Sequence, residues 1–129
     1  MPITYSTTTK SARMVATRDQ MDAGGAAGKL EIGTTGMAQI LATVTLGYPG
    51  TSTGTVSGAV LSLAGFPKEV NASSTGIAAE ARIRTSANVD VMTGLTVGTS
   101  GTDVIIDNTS LATGQIVRVL ATPTFTHAA

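Results

Sequence analysis

After Gly28 the chain alternates between apolar and polar residues with a period of two, and this alternation strongly limits the folds open to it. The pattern is clearest over residues 77–84, where every second residue is apolar. The charged residues between them are Glu80, Arg82 and Arg84. Such alternation is typical of half-buried strands, and strand-like segments recur at roughly 10-residue spacing between Gly- and Pro-containing turns. The sequence therefore predicts a mainly all-β fold, either an antiparallel β-sandwich or a small barrel.

The first 27 residues follow a different pattern, which predicts one short N-terminal helix over residues 8–22. Three apolar residues have the i, i+3, i+4 spacing of a helix face, namely Ala12, Val15 and Ala16. Met14 and Met21 lie seven residues apart beside them, and the glycines at 24–25 end the helix. We expect a single domain in which residues 1–27 form an N-terminal arm and helix and residues 28–129 form the β domain.

Individual strands of the β domain are predicted from the apolar runs between turns. Single strands are expected over residues 40–46, 56–64 and 115–126, and a hairpin is expected around Gly94. Residues 68–76 contain one large apolar residue, Val70, and are predicted to be a polar connection. No helical pattern alternates with these strands, which argues against a doubly wound parallel sheet.

Charge and composition exclude several functional classes. Eight basic and eight acidic side chains give the 129 residues a formal net charge of zero, which argues against nucleic acid or a membrane surface as the main partner. Cys is absent and His occurs once, so thiolate catalysis and multi-histidine metal sites are excluded. The first residues lack the charged and apolar regions of a signal peptide, so we expect synthesis in a cytoplasm.

Three segments that resemble chemical sites are interpreted as structural. Residues 23–30 are similar to a phosphate-binding loop but have Ala first and Leu last, where that loop requires Gly and Ser or Thr. Asp103 and Asp107 lack the spacing of a calcium-binding loop and are predicted to be turn residues. His127 lies close to the end of the sequence, and we expect it to be solvated rather than part of a catalytic triad. We expect no catalytic, cofactor-binding or metal-binding residues, no small-molecule substrate and no enzymatic activity.

Candidate interface residues occur in two regions. In the N-terminal segment they are Ile3, Tyr5, Met14 and Met21, whose adaptable apolar side chains suit an irregular contact. In the second region they are Glu80, Arg82 and Arg84, and the arginines are the best anchors there. Only 12% of the residues are charged, which favours binding that is mostly apolar and weakly salt-dependent. The alternative to apolar binding is recognition of the partner by a charged row formed by Glu80, Arg82 and Arg84.

The C-terminal third carries a recognisable pattern. Residues 98–119, GTSGTDVIIDNTSLATGQIVRV, contain a Gly-Thr-x-Gly-x-Asp segment and an Asn-x-Ser turn, and residues 124–126 are Thr-Phe-Thr. The front half adds the predicted helix, Lys-Leu-Glu-Ile at 29–32 and Leu-Ala-Thr-Val-Thr-Leu at 41–46. In these features the chain resembles small virion proteins of tailed phages and prophages.

The resemblance implies a capsid decoration (cement) protein that binds the major capsid protein. It places the chain at the capsid surface of a virion, after synthesis in the host cytoplasm, and we expect a homo-oligomer, either a trimer or a dimer. Two alternatives remain open. One is a head-fibre or tail component of the same virion class, and the other, more remote, is a small hydrolase.

Overall fold

The computed structural model describes residues 6–48, 52–66, 68–120 and 122–126. Helix α1 spans Thr7–Met21, and a short 3₁₀ helix spans Thr35–Met37. The strands are β1 Lys29–Gly33, β2 Ile40–Thr45, β3 Gly54–Ser57, β4 Val60–Leu63, β5 Lys68–Asn71, β6 Gly76–Ile77, β7 Glu80–Arg84, β8 Asp90–Gly98, β9 Val104–Ile105, β10 Ser110–Leu111, β11 Ile116–Val119 and β12 Thr124–Thr126. Strands make up 43% and helical residues 17%, which confirms a mainly-β fold with one short helix.

The main sheet has five strands in the order β2-β1-β7-β8-β9 and is curled into a half-barrel. Its pairs are antiparallel except for β8 and β9, which run parallel over two residues each, so the expectation of a purely antiparallel sheet is wrong at this pair. Strand β11 continues the curl, because Leu120 N donates a hydrogen bond to Ile105 O. Strand β5 pairs with β11, and Ser73 N, just beyond β5, donates to Leu41 O on β2. The strand order therefore returns to its start and forms an incompletely closed barrel.

One hydrophobic core joins the half-barrel, a second sheet and the helix. The second sheet has three antiparallel strands in the order β12-β4-β3. The half-barrel contributes the wholly buried Leu30, Ile32 and Ile83, strand β4 contributes Leu61, and α1 contributes Met21. The N-terminal helix and the β domain therefore share a single core.

Helix α1 begins one residue before the predicted start and ends one residue before the predicted end. Its N-terminus is capped by Ser6, whose Oγ accepts a hydrogen bond from Thr9 N at 3.2 Å. The predicted apolar face is wrong, because Ala12 and Ala16 are exposed. The buried and half-buried face has the spacing Ser11, Met14, Arg18, Met21.

Polar groups on this helix face bind the backbone of the β3–β4 hairpin. Ser11 Oγ accepts a hydrogen bond from Ala59 N at 3.0 Å, and Arg18 Nη1 donates to Gly54 O at 3.4 Å. The helical spacing of the apolar residues at 12, 15 and 16 could not show this, because the partners are backbone groups far away in the sequence. Hydrogen bonds thus complement the two methionines in holding the helix on the strands.

Three of the predicted strand segments are divided in the structure. Over residues 77–84, Ile77 is exposed and belongs to β6, and β7 begins only at Glu80. Residues 56–64 belong to the β3–β4 hairpin, whose turn residues Gly58 and Ala59 have positive φ values of 58° and 67°. Such a two-residue turn matches the twist of antiparallel strands, and Gly58 accommodates this conformation readily. Residues 115–126 contain β11 and β12, which pair with β5 and β4 in different sheets. Pro123, which has no backbone N–H, lies between them.

Two other segments contain more regular strand than predicted. The expected hairpin around Gly94 is instead one continuous strand, β8, whose register against β7 shifts between Ala81 and Ile83. The expected polar connection at 68–76 contains β5, which pairs with β11 over four residues. Partner strands decide both cases, since neither segment has strong alternation of its own. Strand β8 pairs with the preceding strand β7, whereas β5 pairs with β11, which is far away in the sequence.

Gly28 lies where the segment after α1 enters β1, and its substitution is expected to destabilise the fold. A Cβ atom there would lie 2.8 Å from Met21 O and 2.9 Å from Arg84 O, two backbone atoms that cannot rotate away. Gly28→Ala should therefore lower the free energy of unfolding by about 1–3 kcal/mol, the usual cost of overpacking, in urea denaturation. The exposed control Ala26→Ser should change it by less than about 0.5 kcal/mol. Equal stabilities of the two variants would contradict this close approach.

Candidate interaction surface

The charged residues of β7 lie on the outer face of the half-barrel. On β7, Ala81 and Ile83 are buried in the core, so the residues between and beside them point outward. In the antiparallel register, Arg82 lies opposite Glu31 of β1, and Arg84 lies opposite Lys29. On the other side of β1, the register places Thr43 opposite Glu31 and Thr45 opposite Lys29. Two cross-strand rows of polar side chains therefore cover this face.

A buried carboxylate is at the centre of these rows. Glu31 is only 4% exposed, and its Oε1 lies 2.6 Å from Arg82 Nε and 3.7 Å from Arg84 Nη1. Arg84 Nε also donates to Asp90 Oδ1 at 2.7 Å. Glu31, Arg82, Arg84 and Asp90 form one network, here called the outer-face ion network. Charge-assisted bonds of this length fix the two guanidinium groups against the sheet.

A fifth charged side chain lies at the edge of the same sheet. Lys68, at the start of β5, donates from Nζ to Thr45 O at 2.6 Å, and its Nζ lies 5.5 Å from the centroid of the Phe66 ring. Thr45 is in the edge strand β2, so the ammonium group satisfies a backbone carbonyl that has no strand partner on that side. Lys68 therefore adds a positive charge at the β2 edge of this sheet.

The structure places the candidate interface residues in three different environments. Arg82 and Arg84 are together on the outer face, and Glu80 lies at the other end of β7, opposite Gly33. Met14 and Met21 are buried in the core of their own chain, which accounts for their apolar character without a partner. The remaining candidates, Ile3 and Tyr5, lie outside the described residues.

Sequence reasoning missed two features of this surface. Nothing in the local pattern around Glu31 showed that it is buried beneath the two arginines. Lys68 lies in a segment predicted to be a polar connection, and only the return of β5 to β2 places it at the edge of this sheet. The alternation in β1 and β7 was the available signal, and it identified the correct outward face.

The other polar candidates serve the architecture. Asp103 Oδ2 accepts a hydrogen bond from Thr96 N at 3.0 Å, and Asp107 Oδ1 accepts one from Arg118 N at 3.3 Å, so both aspartates bind neighbouring strands rather than their own turns. Asn108 closes its own turn, since its Oδ1 accepts from the backbone N two residues further on. Among the described residues there is no group of three or more potential metal ligands. His127 lies outside them.

Large apolar side chains are exposed at separate places on the surface. They are Tyr48, Ile77, Val89, Ile116 and Leu120. Ile116 and Leu120 both belong to the outward positions of β11 and its extension, on either side of Arg118, whose Nε lies 3.1 Å from Glu69 Oε1. The other three occur in different segments of the chain, so the five exposed side chains do not belong to one strand.

Helix α1 is too short and too polar to cross a membrane, and the rest of the described chain contains no helix that could do so. Comparisons with protein-family models, with curated proteins and with solved structures found no match. The fold and this surface define the class of the protein, a mainly-β protein with one helix and an outer sheet face that carries an ion network.

Proposed function

We propose that this chain is a non-enzymatic structural protein of a tailed-phage virion, a decoration protein that binds and stabilises the major capsid lattice. The observation that carries the proposal is the resemblance of residues 98–119 to small phage virion proteins. The mainly-β fold with one N-terminal helix is compatible with it. Contacts that are weak individually become strong when a symmetrical lattice repeats them.

The resembling segment has a defined structural role in this chain, which supports the proposal at the level of the fold. Asp103 joins the loop after β8 to Thr96, and Ile106 forms an isolated bridge with Val119 of β11. Residues 98–119 therefore build the seam that continues the half-barrel from β8 to β11. We therefore interpret the sequence pattern of residues 98–119 as a requirement of the fold rather than of a catalytic site.

The N-terminal arm is proposed to contact a neighbouring subunit or the capsid. Since Met14 and Met21 belong to the core, the part of the N-terminal segment proposed for assembly is reduced to the residues before α1, including Ile3 and Tyr5. Deleting residues 2–5 should leave the free energy of unfolding within about 0.5 kcal/mol of the full chain. The same deletion should abolish binding to capsids in co-sedimentation. A control that lacks residues 127–129 should still bind, and full capsid occupancy by the arm deletion would refute the contact.

Copy number and position test the proposal as a whole. A particle reconstruction should show density for this chain over the joints between capsid subunits, and quantitative mass spectrometry should find hundreds of copies per particle. A few copies, located at a tail or a head fibre, would support the alternative virion role. Absence of the chain from purified particles would overturn both assignments.

A further inference from the structure

We propose that the outer face of β1, β2 and β7 binds a carboxylate-rich segment of a partner protein. Half of the eight basic residues lie on this face or at its edge, namely Lys29, Lys68, Arg82 and Arg84. The acidic groups paired with them are Glu31 and Asp90, so four positive charges against two negative charges leave a local charge of +2 on a neutral chain. Glu80 lies at the far end of β7. Both acidic groups are paired with the arginines, so the excess positive charge is carried by Lys29 and Lys68, which form no ion pair among the described residues.

The two arginines are held in a geometry that suits a carboxylate. Arg82 and Arg84 are fixed through Nε, at 2.6 Å from Glu31 and 2.7 Å from Asp90. Within the described part of the chain, their terminal nitrogens form no hydrogen bond, and their side chains remain 20% and 24% exposed. Guanidinium groups bind carboxylates through paired donors, and side chains that are already ordered lose little further entropy on binding.

Neighbouring side chains add further donors. Lys29 forms no ion pair among the described residues. On the neighbouring strand β2, the exposed Thr45 lies opposite Lys29, and the exposed Thr43 lies opposite Glu31. Lys68 holds its ammonium group at the β2 edge. An acidic segment lying along the rows would meet hydroxyl, ammonium and guanidinium groups in succession.

The surface itself contains an example of the proposed bond. Asp90 is about half exposed, and its carboxylate accepts a hydrogen bond from Arg84 Nε on the solvent side of the sheet. A nucleic acid is a poorer fit, because β1, β2 and β7 contain no aromatic side chain on which a base could stack. These observations favour partner recognition by a charged row over the mostly apolar, weakly salt-dependent binding that the low content of charged residues suggested.

This charge distribution does not depend on the proposed virion role, and the purified chain is enough to test it. The probe is a fluorescein-labelled hexaglutamate peptide, titrated with the protein in fluorescence anisotropy at about 10 mM salt, where the Debye length is about 30 Å. The double variant Lys29→Gln, Lys68→Gln should weaken binding about tenfold. It removes two charges but leaves Glu31 paired with its arginines. The matched control Lys10→Gln, Arg118→Gln, with the same net charge, should weaken it less than about twofold.

The single variant Lys29→Gln leaves the bond of Lys68 to Thr45 intact and should still weaken binding more than the control pair does. Any of three results would overturn the proposal. The first is no binding of the peptide by the unmodified chain at low salt. The second is an equal loss in both double variants, and the third is tighter binding of an oligothymidylate of equal charge than of the peptide.

Discussion

Replacing Met21 by alanine is expected to lower the free energy of unfolding by about 3 kcal/mol, within the range for truncating a large buried side chain. Met21 is 0% exposed and lies in the same core as Leu30 and Leu61, at the end of α1 where the chain turns toward β1. Its truncation leaves a cavity that the surrounding sheets can fill only in part, because their backbones are held by strand pairing. Urea denaturation of the variant and the unmodified chain measures the difference.

The neighbouring Gln20 provides the control, since it is exposed on the same helical turn. Gln20→Ala should change the free energy of unfolding by less than about 0.5 kcal/mol. A cost below about 1 kcal/mol for Met21→Ala would contradict the docking of α1 in the core and would return Met21 to the residues available for an interface.

Glu31→Ala is expected to lower the free energy of unfolding by about 3 kcal/mol, because it leaves two partly buried arginines without their shared carboxylate. Arg82 loses its bond of 2.6 Å to the Glu31 carboxylate. Arg84 loses the same carboxylate, 3.7 Å away, and keeps only Asp90 as an ion-pair partner among the described residues. Glu31→Gln, which keeps the shape and an acceptor oxygen but not the charge, should cost less than Glu31→Ala. A double-mutant cycle with Arg82→Ala, followed by urea denaturation, measures the coupling between the two side chains.

An exposed ion pair in the same protein gives the comparison. Glu69 and Arg118 are joined at 3.1 Å, but both side chains are more than half exposed. Glu69→Ala should therefore cost no more than about 1 kcal/mol. If Glu31→Ala costs as little as Glu69→Ala, the outer-face ion network does not stabilise the sheet, and the arginines are not held as the structure indicates.

The candidate surface was only partly predictable. Alternation in residues 77–84 placed Arg82 and Arg84 on one face, since a strand points successive side chains to opposite sides. The same alternation gave no register between β1 and β7, so it could not place Glu31 under both arginines. Lys68 was assigned to a connection, because the strand that positions it forms only against β11.

Local sequence by itself determined the helix within one residue at each end, the strands β1 and β7, and the mainly-β class, because caps, turns and period depend on near neighbours. Tertiary structure alone decided the face that α1 buries and the division of residues 115–126 between two sheets. In each of these cases the deciding hydrogen bonds or buried contacts join residues far apart in the sequence. A pattern read over a few neighbouring residues contains no information about such partners, so only the folded chain could select them.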